Sequence, residues 1–164
     1  MLMRALVVTS LTAGLSLAAT AAPIDAVPTV SVDRLDFAAL EADDMVRDAQ
    51  GLAPRYAVPH DTWHTPGGSG LWSKTPQGQL QWQLRITSPD AVSINFGFEI
   101  WSLPDSAEMV IGTSHGDWTM RPFTSLDNKQ HGELWTPPVP GDDTLICITL
   151  DPADRMALES SVVL

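Results

Sequence analysis

Apolar positions between residues 33 and 50 recur at steps of three and four, which is the spacing of one helix face. Asp33 precedes the stretch as a candidate N-cap, and Gly51 follows it as a candidate C-terminal cap. Pro54 then prevents the helix from continuing. The pattern predicts one amphipathic helix over 33–50. Its apolar stripe consists of Leu35, Ala38, Ala39, Ala42, Met45, Val46 and Ala49.

After Pro54 the period changes from helical to two, which is typical of half-buried strands. The clearest strand is 79–87, and the turn 88–90 separates it from a second alternating stretch, 91–101. We expect these two to pair as an antiparallel hairpin, with Gly97 marking a bulge or a close backbone approach. Trp82 lies on the apolar face of the first strand. The apolar face expected for the second strand consists of Val92, Ile94, Phe96, Phe98 and Ile100. Further strands are predicted at 71–75, 108–113, 118–123, 132–136, 144–150 and 158–164.

Many short strands with turn signals every eight to twelve residues indicate a mainly β protein. We predict an antiparallel β-sandwich, jelly-roll-like, with one N-terminal amphipathic helix. A length of 164 residues allows one domain. Residues 23–53 are assigned to a linker and the helix, and 54–164 to the sandwich.

Residues 1–22 have the pattern of a secretory signal peptide. Arg4 precedes an apolar run over 5–17, and small residues follow it up to Ala22. The alternative is a membrane anchor, but the run is shorter than the roughly 20 residues that a span needs. We expect cleavage after Ala21 or Ala22, export, and no membrane association afterwards.

The charge balance is acidic, with 20 Asp and Glu against 9 Lys and Arg and a net charge of −11. This argues against nucleic acid as a partner, because phosphate binding needs clustered basic residues. The single cysteine, Cys147, excludes an internal disulfide and a cysteine-based zinc cluster. Its apolar neighbours favour a buried small hydrophobe over a thiol that pairs between chains.

The sequence offers no catalytic residue set, no cofactor motif and no metal-binding spacing. Ser69 lies in a glycine-rich turn that does not fit G-x-S-x-G, so a flexible loop tip is the preferred interpretation. His60 and His64 are four apart, but Pro59 and the β-type surroundings argue against the helix that would align them. The pairs His115 with Asp117 and His131 with Glu133 lack a third ligand.

Two carboxylate pairs and six tryptophans leave open alternatives. Asp43-Asp44 and Asp142-Asp143 are expected to be solvated structural groups, not the paired acids of a glycosidase. Several exposed tryptophans on one face of a secreted sandwich would instead indicate a carbohydrate- or surface-binding module. Trp82 is expected in the core, and the positions left undecided are Trp63, Trp72, Trp101, Trp118 and Trp135. The residues thus favour binding over catalysis.

An ordered series of short motifs resembles the N-terminal pro-region of secreted lysyl endopeptidase-like serine proteases of Gram-negative bacteria. The similarity covers about residues 33–155. The most specific motif is 128–137, Asn-x-x-His-Gly-x-Leu-Trp-Thr-Pro. The other motifs are 55–60 (Arg-Tyr-Ala-Val-Pro-His), 82–86 (Trp-Gln-Leu-Arg-Ile), 88–98 (Ser-Pro-Asp-Ala-Val-Ser-Ile-Asn-Phe-Gly-Phe) and 139–142 (Val-Pro-Gly-Asp).

The resemblance implies a non-catalytic, β-rich pro-domain that assists folding of a serine protease catalytic domain and inhibits it, in cis or in trans. It also implies a secreted or periplasmic location. No catalytic residue is carried over, since Gly-Asp-Ser-Gly-Gly is absent from these 164 residues. We expect either a truncated precursor or a free-standing pro-domain.

Overall fold

The computed structural model describes residues 22–164. The predicted leader lies outside the described residues, except for Ala22. None of the helices in the described part is long and apolar enough to cross a membrane.

Eleven short strands and two helices make up the described chain, together with 3-10 turns at Ile24–Ala26, Ser125–Asp127 and Pro152–Asp154. In chain order, the elements are β1 (Thr29–Ser31), α1 (Phe37–Ala49), β2 (Leu71–Lys74), β3 (Leu80–Thr87), β4 (Ser93–Ile94), β5 (Gly97–Phe98), β6 (Ile100–Trp101), β7 (Glu108–Thr113), β8 (Leu134–Trp135), β9 (Val139–Pro140), β10 (Asp143–Leu150), α2 (Arg155–Ser161) and β11 (Val162–Val163).

The largest sheet has five strands and is mixed. Its order is β1-β3-β10-β7, with β2 also pairing β3. The two eight-residue strands, β3 and β10, are antiparallel over their whole lengths, from Asp143 opposite Thr87 to Leu150 opposite Leu80. β1 runs parallel to one end of β3, and β2 runs antiparallel to the other end. β1 therefore lies within the stretch that was expected to be linker.

A broken antiparallel ribbon accompanies this sheet. β4 pairs β9, and β5 pairs β8. Between these two pairs, Phe96 and Thr136 are joined by two hydrogen bonds, from Thr136 N to Phe96 O and from Phe96 N to Thr136 Oγ1, each 2.9 Å long. Segments 93–98 and 134–140 thus run side by side, and β6 then pairs β11. The described chain is mainly β with mixed and antiparallel sheets, and a jelly-roll sandwich is not confirmed.

Alternate residues of β3 and β10 point to the same face of the five-stranded sheet. The core lies against this face, because the residues on it are apolar. The inner face of these strands is apolar, and aromatic side chains of the 93–101 segment complete the core. Trp82 belongs to this core, as predicted. The best buried members are Trp82, Leu84, Ile146, Ile148 and Leu150 from the two long strands, with Phe98, Trp101, Met109, Ile111, Val139 and Leu158 around them.

The hairpin expected between 79–87 and 91–101 does not form. β3 pairs with β10, β2 and β1, and the 91–101 stretch pairs with later segments. The predicted apolar face of that stretch is also only partly right. Phe96 and Phe98 are buried, but Val92 is exposed, and Glu99 and Ile100 are exposed in succession before Trp101 turns inward. Two consecutive outward residues shift the alternation by one, as a bulge does.

The predicted last strand over 158–164 is mostly helix. Arg155–Ser161 forms α2, and only Val162–Val163 is strand. Arg155 and Glu159, four apart, form a 2.7 Å ion pair, which supports a helical turn. Two other predicted strands are reduced: 118–123 makes only the isolated bridges of Thr119 and Phe123, and 132–136 keeps the two residues of β8.

The N-terminal helix exists but begins later than predicted. Asp36, not Asp33, is the N-cap, and its Oδ1 accepts a 3.0 Å hydrogen bond from Ala39 N. None of the 13 residues of α1 is buried. The helix is tied to the following segment by Arg55, which pairs with the carboxylates of both Asp43 and Asp44.

Candidate functional site

The loop and strand over residues 124–136, here called the 124–136 segment, begin with a capped turn. Thr124 and Asp127 form a capping box around the 3-10 turn Ser125–Asp127. Asp127 also accepts hydrogen bonds from Arg121, with Nη2 to Oδ1 at 2.6 Å. The guanidinium of Arg121 holds the pKa of the Asp127 carboxyl below its ordinary value, against the opposing effect of burial. The start of the segment is thereby fixed.

Asn128 attaches the segment to the chain near the ribbon. Its Oδ1 accepts from Leu103 N, and its Nδ2 donates to Leu103 O, both at 2.9 Å. The amide of Asn128 thus occupies the place that a neighbouring strand would take beside Leu103, a buried core residue. These two bonds satisfy backbone groups of Leu103 that would otherwise lack partners.

A tight turn follows at residues 129–132. Gly132 N donates to Lys129 O at 3.0 Å, and Gly132 has a φ of +69°, which favours glycine. The carbonyl of Gly132 accepts from Trp101 N at 2.7 Å. His131 Nδ1 accepts from Glu133 N at 3.2 Å, so this histidine shapes the turn. Lys129, Gln130 and His131 are exposed while both ends of their loop are bonded to the fold.

The segment ends on an indole that lies over a glycine. Trp135 is paired with Gly97, and a Cβ placed on Gly97 would lie 2.8 Å from the six-membered ring of Trp135. Gly97 thus marks a close approach, although the crowding group is the Trp135 side chain and not the backbone that was predicted. An aromatic ring over a cross-strand glycine covers backbone that has no side chain of its own. The ring nevertheless stays 70% exposed.

Two large apolar side chains of the 124–136 segment therefore face solvent: Leu126, 87% exposed, and Trp135. An exposed tryptophan on a hydrogen-bonded scaffold is suited to binding a protein surface, because tryptophan is enriched among the residues that contribute most of the affinity.

The six tryptophans separate into core and surface. Trp82 and Trp101 are buried, Trp72 and Trp118 are half-buried, and Trp63 and Trp135 are exposed. The indoles of Trp72 and Trp82 donate hydrogen bonds to the carbonyls of Pro66 and Ser69, at 2.8 and 2.7 Å. Four of the six tryptophans thus contribute to packing because they are buried or half-buried.

The Ser69 turn is held in place and is not a flexible loop tip. Besides the indole bond to its carbonyl, Ser69 N and Oγ both donate to Thr65 O, at 2.9 and 3.1 Å. The hydroxyl proton therefore goes to a backbone carbonyl, which does not activate a nucleophile. Gly70, with a φ of +77°, packs against Trp82 so closely that a side chain there would overlap the indole.

The histidines that the sequence singled out do not come together with other ligands. His60 is exposed, and the backbone of His64 pairs in both directions with Leu164. Asp117, beside His115, accepts from the Thr113 hydroxyl, and this bond is the main reason that its pKa is lowered. Within residues 22–164, no three His, Cys, Asp or Glu side chains are placed to share a metal ion.

The carboxylate pairs serve the fold. Asp43 and Asp44 bind Arg55. Asp143 accepts hydrogen bonds from Nε and Nη2 of Arg85, with Nε to Oδ1 at 2.8 Å, and Asp142 is exposed. Arg85 is the main reason that the pKa of Asp143 is lowered, although burial opposes this effect.

Cys147 lies on the outer face of β10, opposite Gln83 on β3 and Val110 on β7. The residue is half-buried, which is less than the full burial expected. Burial of the thiol is nevertheless the main cause that raises its pKa to about 12, so the reactive thiolate is scarce at neutral pH.

A second surface lies on α1. Phe37, Leu40 and Met45 line a shallow, open depression together with charged residues of the helix and Arg55. Their spacing places them on one side of the helix. Of these three residues, only Met45 belongs to the apolar stripe predicted from the sequence, and Phe37 and Leu40 lie outside it. The stripe residues within α1 are not buried either.

Sequence reasoning missed the individual roles within the 124–136 segment. The motif as a whole was noted, but the contacts of Asn128 with Leu103 and of Trp135 with Gly97 join positions 25 and 38 residues apart. One signal in the sequence was Trp135, which lies in a short predicted strand after Glu133 and before Pro137 and Pro138. A tryptophan with a charged residue and two prolines so close to it does not fit a core position.

Comparison with known proteins identifies the family. No solved structure matches the chain. The family model for the lysyl endopeptidase N-terminal domain matches residues 57–159, which is more than half of the chain and spans β2 to β10 and most of α2. The matched family is described as the N-terminal domain of lysyl endopeptidase. The chain therefore belongs to the lysyl endopeptidase N-terminal domain family.

Proposed function

We propose that this chain is the pro-domain of a lysyl endopeptidase-type serine protease precursor, and that it assists folding of the catalytic domain and holds it inactive. The observation that carries the proposal is the family match over residues 57–159. The proposal includes export, to the periplasm or outside a Gram-negative cell, because residues 1–22 have the pattern of a leader.

The exposed apolar surfaces support a protein partner. A stable interface buries on the order of 1,600 Å² in total and is anchored by aromatic and apolar side chains at its centre. Trp135 and Leu126 supply such anchors on the 124–136 segment. Phe37 and Met45 supply others on α1.

The helix α1 adds a separate argument. A helix of 13 residues is marginal in water by itself, and most helical stability in proteins comes from packing of an apolar face. Met45 and Val46, which belong to the predicted apolar stripe, are each more than half exposed. A protease domain that covered this face would stabilise α1 when the complex forms.

The test uses the full chain and the catalytic domain of a lysyl endopeptidase. We expect the chain to raise the yield of active protease when the denatured catalytic domain is refolded. We also expect it to slow the folded enzyme on a chromogenic lysyl substrate. A variant with a charge in the core, Leu84→Asp, should unfold and lose both effects. If the wild-type chain at high micromolar concentration changes neither yield nor rate, the proposal is wrong.

A second candidate is a carbohydrate- or surface-binding module, favoured by the exposed indoles of Trp63 and Trp135. Aromatic faces stack on sugar rings, and the test is sedimentation of the chain with insoluble polysaccharides. Retention that both Trp63→Ala and Trp135→Ala weaken would favour this function. Retention unchanged in both variants would exclude the indoles as a platform.

A further inference from the structure

The chain contains two lysines and seven arginines. Under the proposed function its partner is a lysyl endopeptidase, whose name implies that it cuts at lysyl bonds. Each lysine is therefore a point at which the domain can be bound or cut by its own partner. The surroundings of Lys74 and Lys129 differ in a way that bears on this encounter.

The hairpin of β2 and β3 protects the peptide bond that follows Lys74, although the lysine side chain is exposed. Lys74 pairs with Leu80, and the next residue, Thr75, is buried. Thr75 N, the amide of the bond that would be cut, donates to Gln79 O at 2.9 Å. A protease needs an accessible stretch of chain, so cutting here requires the hairpin to open first.

Lys129 is presented at an exposed loop, and its ammonium forms none of the ion pairs found within residues 22–164. On its N-terminal side Asn128 is bonded twice to Leu103. On its C-terminal side Gly132 is bonded to Trp101. The ammonium of Lys129 is thus unpaired within the described part of the chain, while hydrogen bonds hold the chain in place on both sides of this residue.

Exposed apolar residues flank this lysine. Leu126 lies three positions before Lys129, and Trp135 lies six positions after it. The nearby tryptophan is suited to anchoring an interface, since tryptophan is enriched among the residues that contribute most of the binding energy. A pocket selective for lysine must itself offer negative charge, which complements the unpaired ammonium of Lys129.

We propose that Lys129 occupies the lysine-binding pocket of the protease and that the 124–136 segment blocks the active-site cleft. This inference rests on the proposed function. The rigid loop lowers the entropy lost on binding, because the bound shape is already formed. It also makes cutting slow, because Lys129 O is bonded to Gly132 N and has to exchange this donor for those of the oxyanion hole.

Cleavage, where it occurs, adds one water across the Lys129–Gln130 bond. It leaves a carboxylate on Lys129 and an amine on Gln130. The bonds to Leu103 and Trp101 keep both new ends attached to the fold. The two fragments should therefore stay together, and cutting should end inhibition only slowly.

The experiment measures the inhibition constant of the full chain against a purified lysyl endopeptidase, with Lys129→Gln and the matched control Lys74→Gln. Both lysines are exposed, and unchanged melting temperatures would establish that the variants fold. We expect Lys129→Gln to weaken inhibition at least tenfold and Lys74→Gln to change it less than twofold. Mass spectrometry after long incubation should find the first cut after residue 129.

The outcomes separate the two proposals. Equal inhibition by wild type and Lys129→Gln would overturn the role of Lys129 and leave the pro-domain function standing. Rapid cutting after residue 129 with immediate loss of inhibition would also overturn it, because the loop would then be a simple substrate. A wild-type chain that neither inhibits the protease nor assists its refolding would refute the pro-domain function itself.

Discussion

Replacing Asn128 by alanine removes both hydrogen bonds to Leu103 at once. Leu103 is 2% exposed, so its amide and carbonyl lose their partners in a region with little access to water. A buried polar group without a partner costs about 1–3 kcal/mol. Two such groups give about 2–6 kcal/mol, and we expect about 2–4 kcal/mol because Asn128 is only half-buried and water can replace part of its amide.

The free energy of unfolding is measured by urea denaturation with tryptophan fluorescence. Asn95→Ala is the matched control, since Asn95 is exposed and its side chain makes no hydrogen bond within the described residues. The control should stay within about 0.5 kcal/mol of wild type. Asn128→Asp keeps the acceptor for Leu103 N but places a carboxylate against Leu103 O, so its stability should also fall. A loss below about 0.5 kcal/mol for Asn128→Ala would refute the argument that these two bonds fix the 124–136 segment.

Three further predictions concern the rest of the fold. Gly70→Ala should destabilise the chain by about 2–5 kcal/mol in urea denaturation, because the new Cβ overlaps Trp82 and the φ of +77° is strained. The control Gly78→Ala, with a φ of +87° but open space around the new Cβ, should lower the free energy of unfolding by only about 1–2 kcal/mol. Equal losses in the two variants would contradict the overlap with Trp82. The lowered pKa of Asp143 means that its pairing with Arg85 stabilises the fold above about pH 4, the ordinary carboxyl value, and that this contribution is lost as the pH falls further. Asp143→Asn should therefore reduce the slope with which the free energy of unfolding falls below this pH. An unchanged slope would contradict the pairing argument. Cys147, with a pKa raised to about 12, should resist iodoacetamide at pH 8 in the folded chain and react in urea, and fast native labelling would refute thiol burial.

The long strands were predicted well because their pattern is local. Alternation over 79–87 and 144–150 agrees with β3 and β10 to within one residue at each end. α1 was also predicted, although its start was placed three residues early, at Asp33 instead of Asp36. Both aspartates can cap a helix, and the choice between them depends on the direction in which the preceding chain arrives.

The pairing of the strands could not be predicted from these patterns. An alternating strand offers the same hydrogen-bonding edges to any neighbour, so proximity along the chain favoured a hairpin of 79–87 with 91–101. β10 instead pairs with β3 across more than 50 residues, because it matches β3 in length and covers the same core. The stretch 155–161 is a similar case, where the helix packs Leu158 into the core.

The sequence by itself determined the periodicities, the acidic charge, the leader pattern and the ordered motifs that mark the family. Each of these depends on neighbours within a dozen residues, or on order along the chain. Only the tertiary structure decided that Asn128 bonds to Leu103, that Trp135 lies over Gly97, and that Lys129 lies in a turn while the backbone of Lys74 is paired in a hairpin. These differences depend on which distant segments come into contact, since the exposure of a side chain is set by what the rest of the chain places beside it.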